Sequence, residues 1–291
     1  MQRIALVVVG LVTVFLLITL LLHVTQRRHD LLAFDPEISD AVPGERIASA
    51  LAAVMDRELH SVTGWRPNDF FLWGPGPFAD NNANRQLGII LAVRETTRVL
   101  KDHLTKVSSD AYDANLLVAD GMFRNDAEKL WLPSAEGRFL RGVEALRAYI
   151  AGLHQSPAVS KPLNHRNIEL IRLFQSWSDM LGDAHATLYR QDIGFLRTDD
   201  VFYHAQGVAH TMCHVMGALR IEYQSDLAGR PILDTLFEEV TGALCGASAL
   251  KPLIILDGDA ESLFANHRKN LDAYVNEARQ KMYSIREELE K

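Results

Sequence analysis

The stretch "YHAQGVAHTMCHVMG", residues 203–217, decides the fold because its apolar residues recur at the spacing of a helix and not of a strand. At about 100° per residue, an apolar stripe runs along this helix through Val201, Ala205, Val208, Met212, Val215, Leu219 and Tyr223. His210 and His214 fall nearly opposite this stripe, beside Gly207 and Gly217. The pattern predicts a helix with a broad apolar face and a second face of small residues and two histidines.

Histidines at positions i and i+4 of a helix project to the same side and can bind one metal ion. His210 and His214 are therefore a candidate metal site, for which His185 and His165 are the candidate further ligands. The alternative is a structural pair, exposed or between helices, where glycines allow another helix to approach. Apart from this divalent metal, the sequence predicts no cofactor.

Helical spacing continues through most of the chain after residue 44 and predicts an all-α domain of about seven helices. Ser134 is a predicted N-cap, and Asn164 is predicted to cap a long helix. Only "LIIL", residues 253–256, resembles a strand. The final segment has a heptad-like seam, which we expect to pack on its own domain; it comprises Leu271, Val275, Ala278, Met282, Ile285 and Leu289.

The N-terminal segment is apolar and uncharged from residue 4 to residue 22, in the run "IALVVVGLVTVFLLITLLL". Nineteen such residues are just long enough for a single transmembrane helix, and no small-residue cleavage site follows them. We therefore predict an uncleaved anchor over residues 1–29, a tether over 30–43 and a compact soluble domain over 44–291, with a candidate subdivision near 154–164. A short N-terminus before a large acidic domain favours an orientation with the N-terminus inside and the domain outside, which in a bacterium would place the anchor in the inner membrane and the domain in the periplasm.

Charge and motifs exclude several classes of protein. The net charge of −7 argues against binding to nucleic acid. The sequence contains no P-loop, no H-E-x-x-H, no G-x-S-x-G and no C-x-x-C motif. Cys213 and Cys245 are the only cysteines, and the sequence leaves open whether they form a disulfide or remain buried thiols.

A long loop over residues 64–88 is the second candidate site. It is interrupted by proline and glycine and carries five aromatic residues: Trp65, Phe70, Phe71, Trp73 and Phe78. Loops of this length are uncommon inside compact domains and are often functional. Three interpretations remain open, namely a loop whose aromatic side chains fill the core, a surface that binds a protein partner, and a contact with the nearby bilayer.

Several segments, in this order, resemble a bacterial family known as domain of unknown function 2333: "GWRPNDFF", "DNNANRQLG", "LWLPSAEG", "TDDVFYHAQG" and "LIILDG…LFANH". The resemblance covers about residues 47–274. It implies a membrane-anchored bacterial envelope protein with one N-terminal span, and it supplies no activity, cofactor or catalytic residue.

We therefore expect a membrane-anchored bacterial envelope protein that binds or scaffolds a protein partner and is not an enzyme. The aromatic loop or the C-terminal helix would form the contact. The alternative is a metal-binding protein or metal-dependent hydrolase that uses His210 and His214.

Overall fold

The computed structural model describes residues 2–26, 41–69, 80–106, 111–190, 192–194, 197–252, 254–258 and 265–291. These residues form ten α-helices and no named strand, which confirms the all-α prediction but exceeds the predicted number of helices. The helices are α1 (Gln2–Gln26), α2 (Glu45–Leu59), α3 (Asn81–Val99), α4 (Ala114–Phe123), α5 (Ala135–Leu153), α6 (Asn167–Tyr189), α7 (Thr198–Glu222), α8 (Gln224–Leu227), α9 (Pro231–Ala249) and α10 (His267–Glu290). A π-helical turn, Leu100–Leu104, continues α3.

Capping side chains explain where some helices begin. The Ser134 hydroxyl accepts a hydrogen bond from the Gly137 amide at 3.3 Å, which confirms the predicted cap of α5. The prediction for Asn164 is wrong, because α6 begins three residues later, at Asn167, without a side-chain cap. The backbone N–H of Asn164 instead donates to the Leu104 carbonyl at 2.7 Å, which holds this part of the chain against the π-helical turn.

Residues 154–164, the candidate boundary, are bonded to elements that precede them in the sequence. The Leu163 amide donates to the Pro43 carbonyl at 2.9 Å, and the Tyr149 hydroxyl donates to the Lys161 carbonyl at 2.8 Å. One cluster of buried apolar side chains extends from Ile47 to Leu289 and includes residues on both sides of this segment.

Helices α3 and α7 cross at a distance that only glycine allows. A Cβ atom on Gly88 would lie 2.0 Å from the His204 carbonyl oxygen, and one on Gly207 would lie 2.0 Å from the Arg85 carbonyl oxygen. Each helix thus places a glycine against the backbone of the other. Because the backbones meet directly, both faces of α7 are buried, including the face that carries the histidines.

The seam of α10 packs against α6 and α9, and all six of its predicted residues are buried. This confirms that the heptad-like pattern serves the protein's own core.

The strand-like run "LIIL" does not form a strand in its described part. Ile255 is buried, whereas Ile254 is exposed, and the only pairing nearby is an isolated antiparallel bridge between Asp257 and Asn266.

The structure describes the side chains of α1 at residues 3–18 and 21. Within the residues described, no helix combines the length and the apolarity needed to cross a membrane. The predicted transmembrane helix is therefore not supported by the described part of the chain.

Cys213 on α7 and Cys245 on α9 form a disulfide, with their Cα atoms 5.0 Å apart. The structure thereby resolves the alternative that the sequence left open. The bond joins the central helix to α9 across 32 residues of chain.

Replacing either glycine of the crossing by alanine should destabilise the fold, because a methyl group would force the two backbones apart. For Gly88→Ala and for Gly207→Ala we expect the free energy of unfolding to fall by about 3 kcal/mol, as for other overpacked cores. Urea unfolding of the full chain measures this. Gly242→Ala in α9 is the control, since a Cβ there meets no heavy atom within 4 Å, and it should be neutral or stabilising by up to about 1 kcal/mol. Equal effects at all three positions would contradict the close crossing.

Removing the disulfide should lower the free energy of unfolding by about 3–4 kcal/mol, because the unfolded chain regains the freedom of a closed loop of this length. The double variant Cys213→Ser/Cys245→Ser tests this against the oxidised protein. Reducing the unmodified protein should reproduce the loss and should not affect the variant. Peptide mapping without reductant that finds two free thiols would refute the pairing.

Candidate functional site

The predicted histidine pair lies in the interior of the helical body. His210 and His214 are each 2% exposed, and their rings lie 4.6 Å apart in an edge-to-face arrangement. The His210 Nδ1 and the Ser248 hydroxyl of α9 are hydrogen-bonded at 2.8 Å. The pair therefore lies between helices, as the structural interpretation predicts.

Burial also sets the protonation of His214. Loss of solvent, followed by the positive charges of Arg57 and Arg85, lowers the pKa of His214 to about 4. The ring is therefore neutral at pH 7, the form in which a ring nitrogen can bind a metal ion or accept a hydrogen bond.

A polar network extends from α3 to α2 and to the chain that follows α2. Arg85 donates to Glu58 at 2.8 Å, and the two side chains form a buried ion pair. The Gln86 side-chain amide donates to Glu58 at 3.1 Å and to the Gly64 carbonyl at 2.9 Å, and its oxygen accepts from the Arg66 amide at 2.8 Å. Each bond satisfies a group that would be costly to bury alone, so the network fixes the start of the loop at residues 64–66.

The candidate further metal ligands are engaged elsewhere. His185 Nδ1 lies 2.7 Å from Asp272, and His165 Nδ1 lies 2.9 Å from Asp226. Across the described ranges, no three His, Cys, Asp or Glu side chains converge in a way that could hold a metal ion. The structure thus brings together two of the predicted ligands, and the metal site stays a prediction.

Trp65 is a core residue and not part of an exposed interaction surface. It is 1% exposed, its indole nitrogen donates to the Ala127 carbonyl at 2.8 Å, and its ring meets Phe139 edge to face at 5.0 Å. The prediction of an interaction surface is therefore wrong at this position, because the aromatic ring is buried in the core against Phe139 of α5. Four other predicted members of this surface lie outside the described residues: Phe70, Phe71, Trp73 and Phe78.

An exposed apolar tip lies beside the buried start of this loop. Trp131 is 78% exposed and Leu132 is 95% exposed, directly before α5. The Asn68 side chain donates to the Lys129 carbonyl at 3.2 Å and so joins the two segments. The sequence signal for this tip is the Trp-Leu pair directly before Pro133, which lies outside the helical spacing that begins after Ser134.

Carboxyl groups meet where α3 and α7 begin. Burial, and then the charges of Asp200 and Asp199, raise the pKa of Asp80 to about 7. Asn84 donates to Asp200 at 2.8 Å, which orients that carboxylate. The Asp80 carboxyl group therefore gains or loses its proton near neutral pH.

Comparison with known proteins identifies a family but no function. A family model described as "Uncharacterized protein conserved in bacteria (DUF2333)" matches residues 2–190 and 179–291, so the two matches together reach from residue 2 to the last residue. No curated protein and no solved structure matches the chain. The resemblance found in the sequence motifs is confirmed.

Acid should destabilise the fold through His214. Because its folded pKa lies below the ordinary value, the unfolded chain binds the proton first, and stability is lost as pH falls from about 6.5 towards 4. Between pH 6.5 and pH 5 this group alone should cost about 2 kcal/mol.

The test compares urea unfolding of the unmodified chain and of His214→Gln at pH 7 and at pH 5. The raised pKa of Asp80 acts in the opposite direction, since its contribution is lost as pH rises towards 7. It is present in both proteins, so the difference between them isolates His214. Identical losses on acidification would show that His214 does not titrate in this range.

Proposed function

Since the chain belongs to the bacterial family DUF2333, we propose that it is a membrane-attached protein of the cell envelope that binds a protein partner. The proposal has three parts, which are attachment through α1, a helical body on the periplasmic side of the inner membrane, and a contact surface on that body. It assigns no reaction.

The exposure of α1 supports attachment. Eleven large apolar side chains between Ile4 and Leu21 are each at least half exposed. Four of them are consecutive, from Leu6 to Val9, and so point in all directions around the helix. A continuous apolar surface of this kind is costly in water and favours burial in a lipid phase.

The disulfide supports a location outside the cytoplasm. Disulfides persist in oxidising compartments such as the bacterial periplasm and are rare where thiols are kept reduced. The pairing of Cys213 with Cys245 therefore fits a body exported across the inner membrane.

The exposed tip at Trp131 and Leu132 is the observation that carries the binding role. Exposed tryptophans are enriched among the residues that dominate the affinity of protein interfaces. The described start of the loop adjoins the tip, since the Asn68 side chain donates to the Lys129 carbonyl. We propose that the loop that carries Phe70, Phe71, Trp73 and Phe78 contributes to the same binding function.

Deleting residues 1–30 should release the protein from membranes, because the apolar helix is removed with them. The measurement is the distribution between pellet and supernatant after carbonate washing, and protease protection of either terminus shows whether α1 crosses the bilayer. A C-terminal alkaline phosphatase fusion should be active if the body is periplasmic. An intact chain found in the supernatant would refute attachment.

A photo-crosslinking residue at position 131 or 132 should give one discrete protein adduct in intact cells. The control position is 159, since Val159 is also apolar and is 69% exposed, and it should give no such adduct. Trp131→Ala should lower the affinity for the recovered partner at least about tenfold, as at other interface hot spots. The same adducts from positions 131 and 159 would contradict a specific contact at the tip.

A further inference from the structure

A solvent-open cleft lies between α3 and α6, with α7 below it. It consists of two chambers, of about 280 Å³ and about 450 Å³, which we call the inner and the outer chamber. Leu91, Met180 and Asp183 line both chambers, so the two chambers are neighbours. The outer chamber is lined by charged residues of both signs, including Glu95 and Arg98, which form an ion pair at 2.7 Å.

The floor of the inner chamber is apolar. Val201, Ala205 and Val208 contribute one stretch of the α7 stripe, and Met180 and Ala184 of α6 form the facing wall. Apolar side chains lining a concave site favour the alkyl part of a ligand over a hydrated ion. At about 280 Å³, the chamber lies just below the usual range for drug-sized ligands, roughly 300–1,000 Å³, and so suits a small molecule.

The charged side chains that line the inner chamber are both carboxylates. Asp183 is contributed by α6 and Asp200 by α7, and no lysine or arginine is among the described residues that line this chamber. Asn84 donates to Asp200 and holds it in place. His204 of α7 also lines this chamber, and burial lowers its pKa, so its ring adds no positive charge at pH 7.

We propose that the inner chamber binds a small organic cation, an alkylammonium compound whose charged end lies between Asp183 and Asp200 and whose alkyl chain lies on the α7 floor. The two carboxylates attract the ammonium group, and the partly desolvated walls strengthen that attraction relative to open water. Because the floor is apolar, it favours a cation that carries an alkyl chain over an inorganic ion. This site lies between α3, α6 and α7, and it is separate from the partner contact proposed at Trp131.

The experiment titrates the full chain in a non-ionic detergent with three probes of equal length: hexylammonium, hexanol and hexanoate. The signal is the ¹³C-methyl resonance of Met180, assigned through Met180→Leu, because this side chain lines the chamber. Hexylammonium should bind at least tenfold more tightly than hexanol, and hexanoate should bind most weakly. The preference for the cation should shrink as salt is added, since salt screens the carboxylates.

Two variants separate the effect of the carboxylate charge from the effect of the free volume of the chamber. Asp200→Asn should weaken hexylammonium about tenfold and leave hexanol unchanged, whereas Ala184→Met should fill the chamber and abolish the binding of both. Glu144→Gln removes the same charge from an exposed position of α5, which does not line the cleft, and it should change nothing.

Equal affinities for hexylammonium and hexanol, or an Asp200→Asn effect matched by Glu144→Gln, would overturn the cation assignment. Absence of any shift at Met180 would overturn the site itself. Neither result bears on the crosslinking at Trp131, so failure here is distinguishable from failure of the proposed function.

Discussion

The direct contact between the backbones of α3 and α7 is the constraint on which the rest of the structure depends. Gly88 and Gly207 each face a carbonyl group of the opposite helix, so the crossing leaves no room for side chains at its centre. Because α7 is drawn so close to α3, its histidine face is enclosed by α2, α3 and α9 instead of facing water. The same approach places His204 and Val208 on the wall of the inner chamber.

Burial around this crossing changes the chemistry of the polar residues it encloses. Arg85 of α3 is buried and forms an ion pair with Glu58. The charge of Arg85 helps to keep the His214 ring neutral at pH 7. A buried ion pair stabilises little by itself, but breaking it leaves an uncompensated charge. These polar residues therefore hold α2, α3 and the start of the loop in one arrangement, which in turn positions Trp65 in the core.

Much of the fold was predictable, and the candidate site was predictable only in part. Helical spacing identified the principal helices, and it also identified the α10 seam. It could not identify Trp65 as buried, because an aromatic residue in an irregular loop has no periodicity that reports its surroundings. Helical spacing also placed His210 and His214 on one face of one helix, but it could not show their surroundings. Those surroundings include Ser248 of α9, Arg57 of α2 and Arg85 of α3.

The sequence by itself determined the helical class, the cap at Ser134, the apolar N-terminal run and the family. The first three depend on residues within a few positions of one another, where spacing and side-chain chemistry suffice, and the family is recognised from several short motifs in their order along the chain. The tertiary structure alone decided that Cys213 pairs with Cys245, that the histidine pair is interior and that Asp183 and Asp200 share a chamber. Each of these features depends on which helices pack together. The periodicity of a sequence shows which face of a helix is apolar, but it does not show which other helix covers that face.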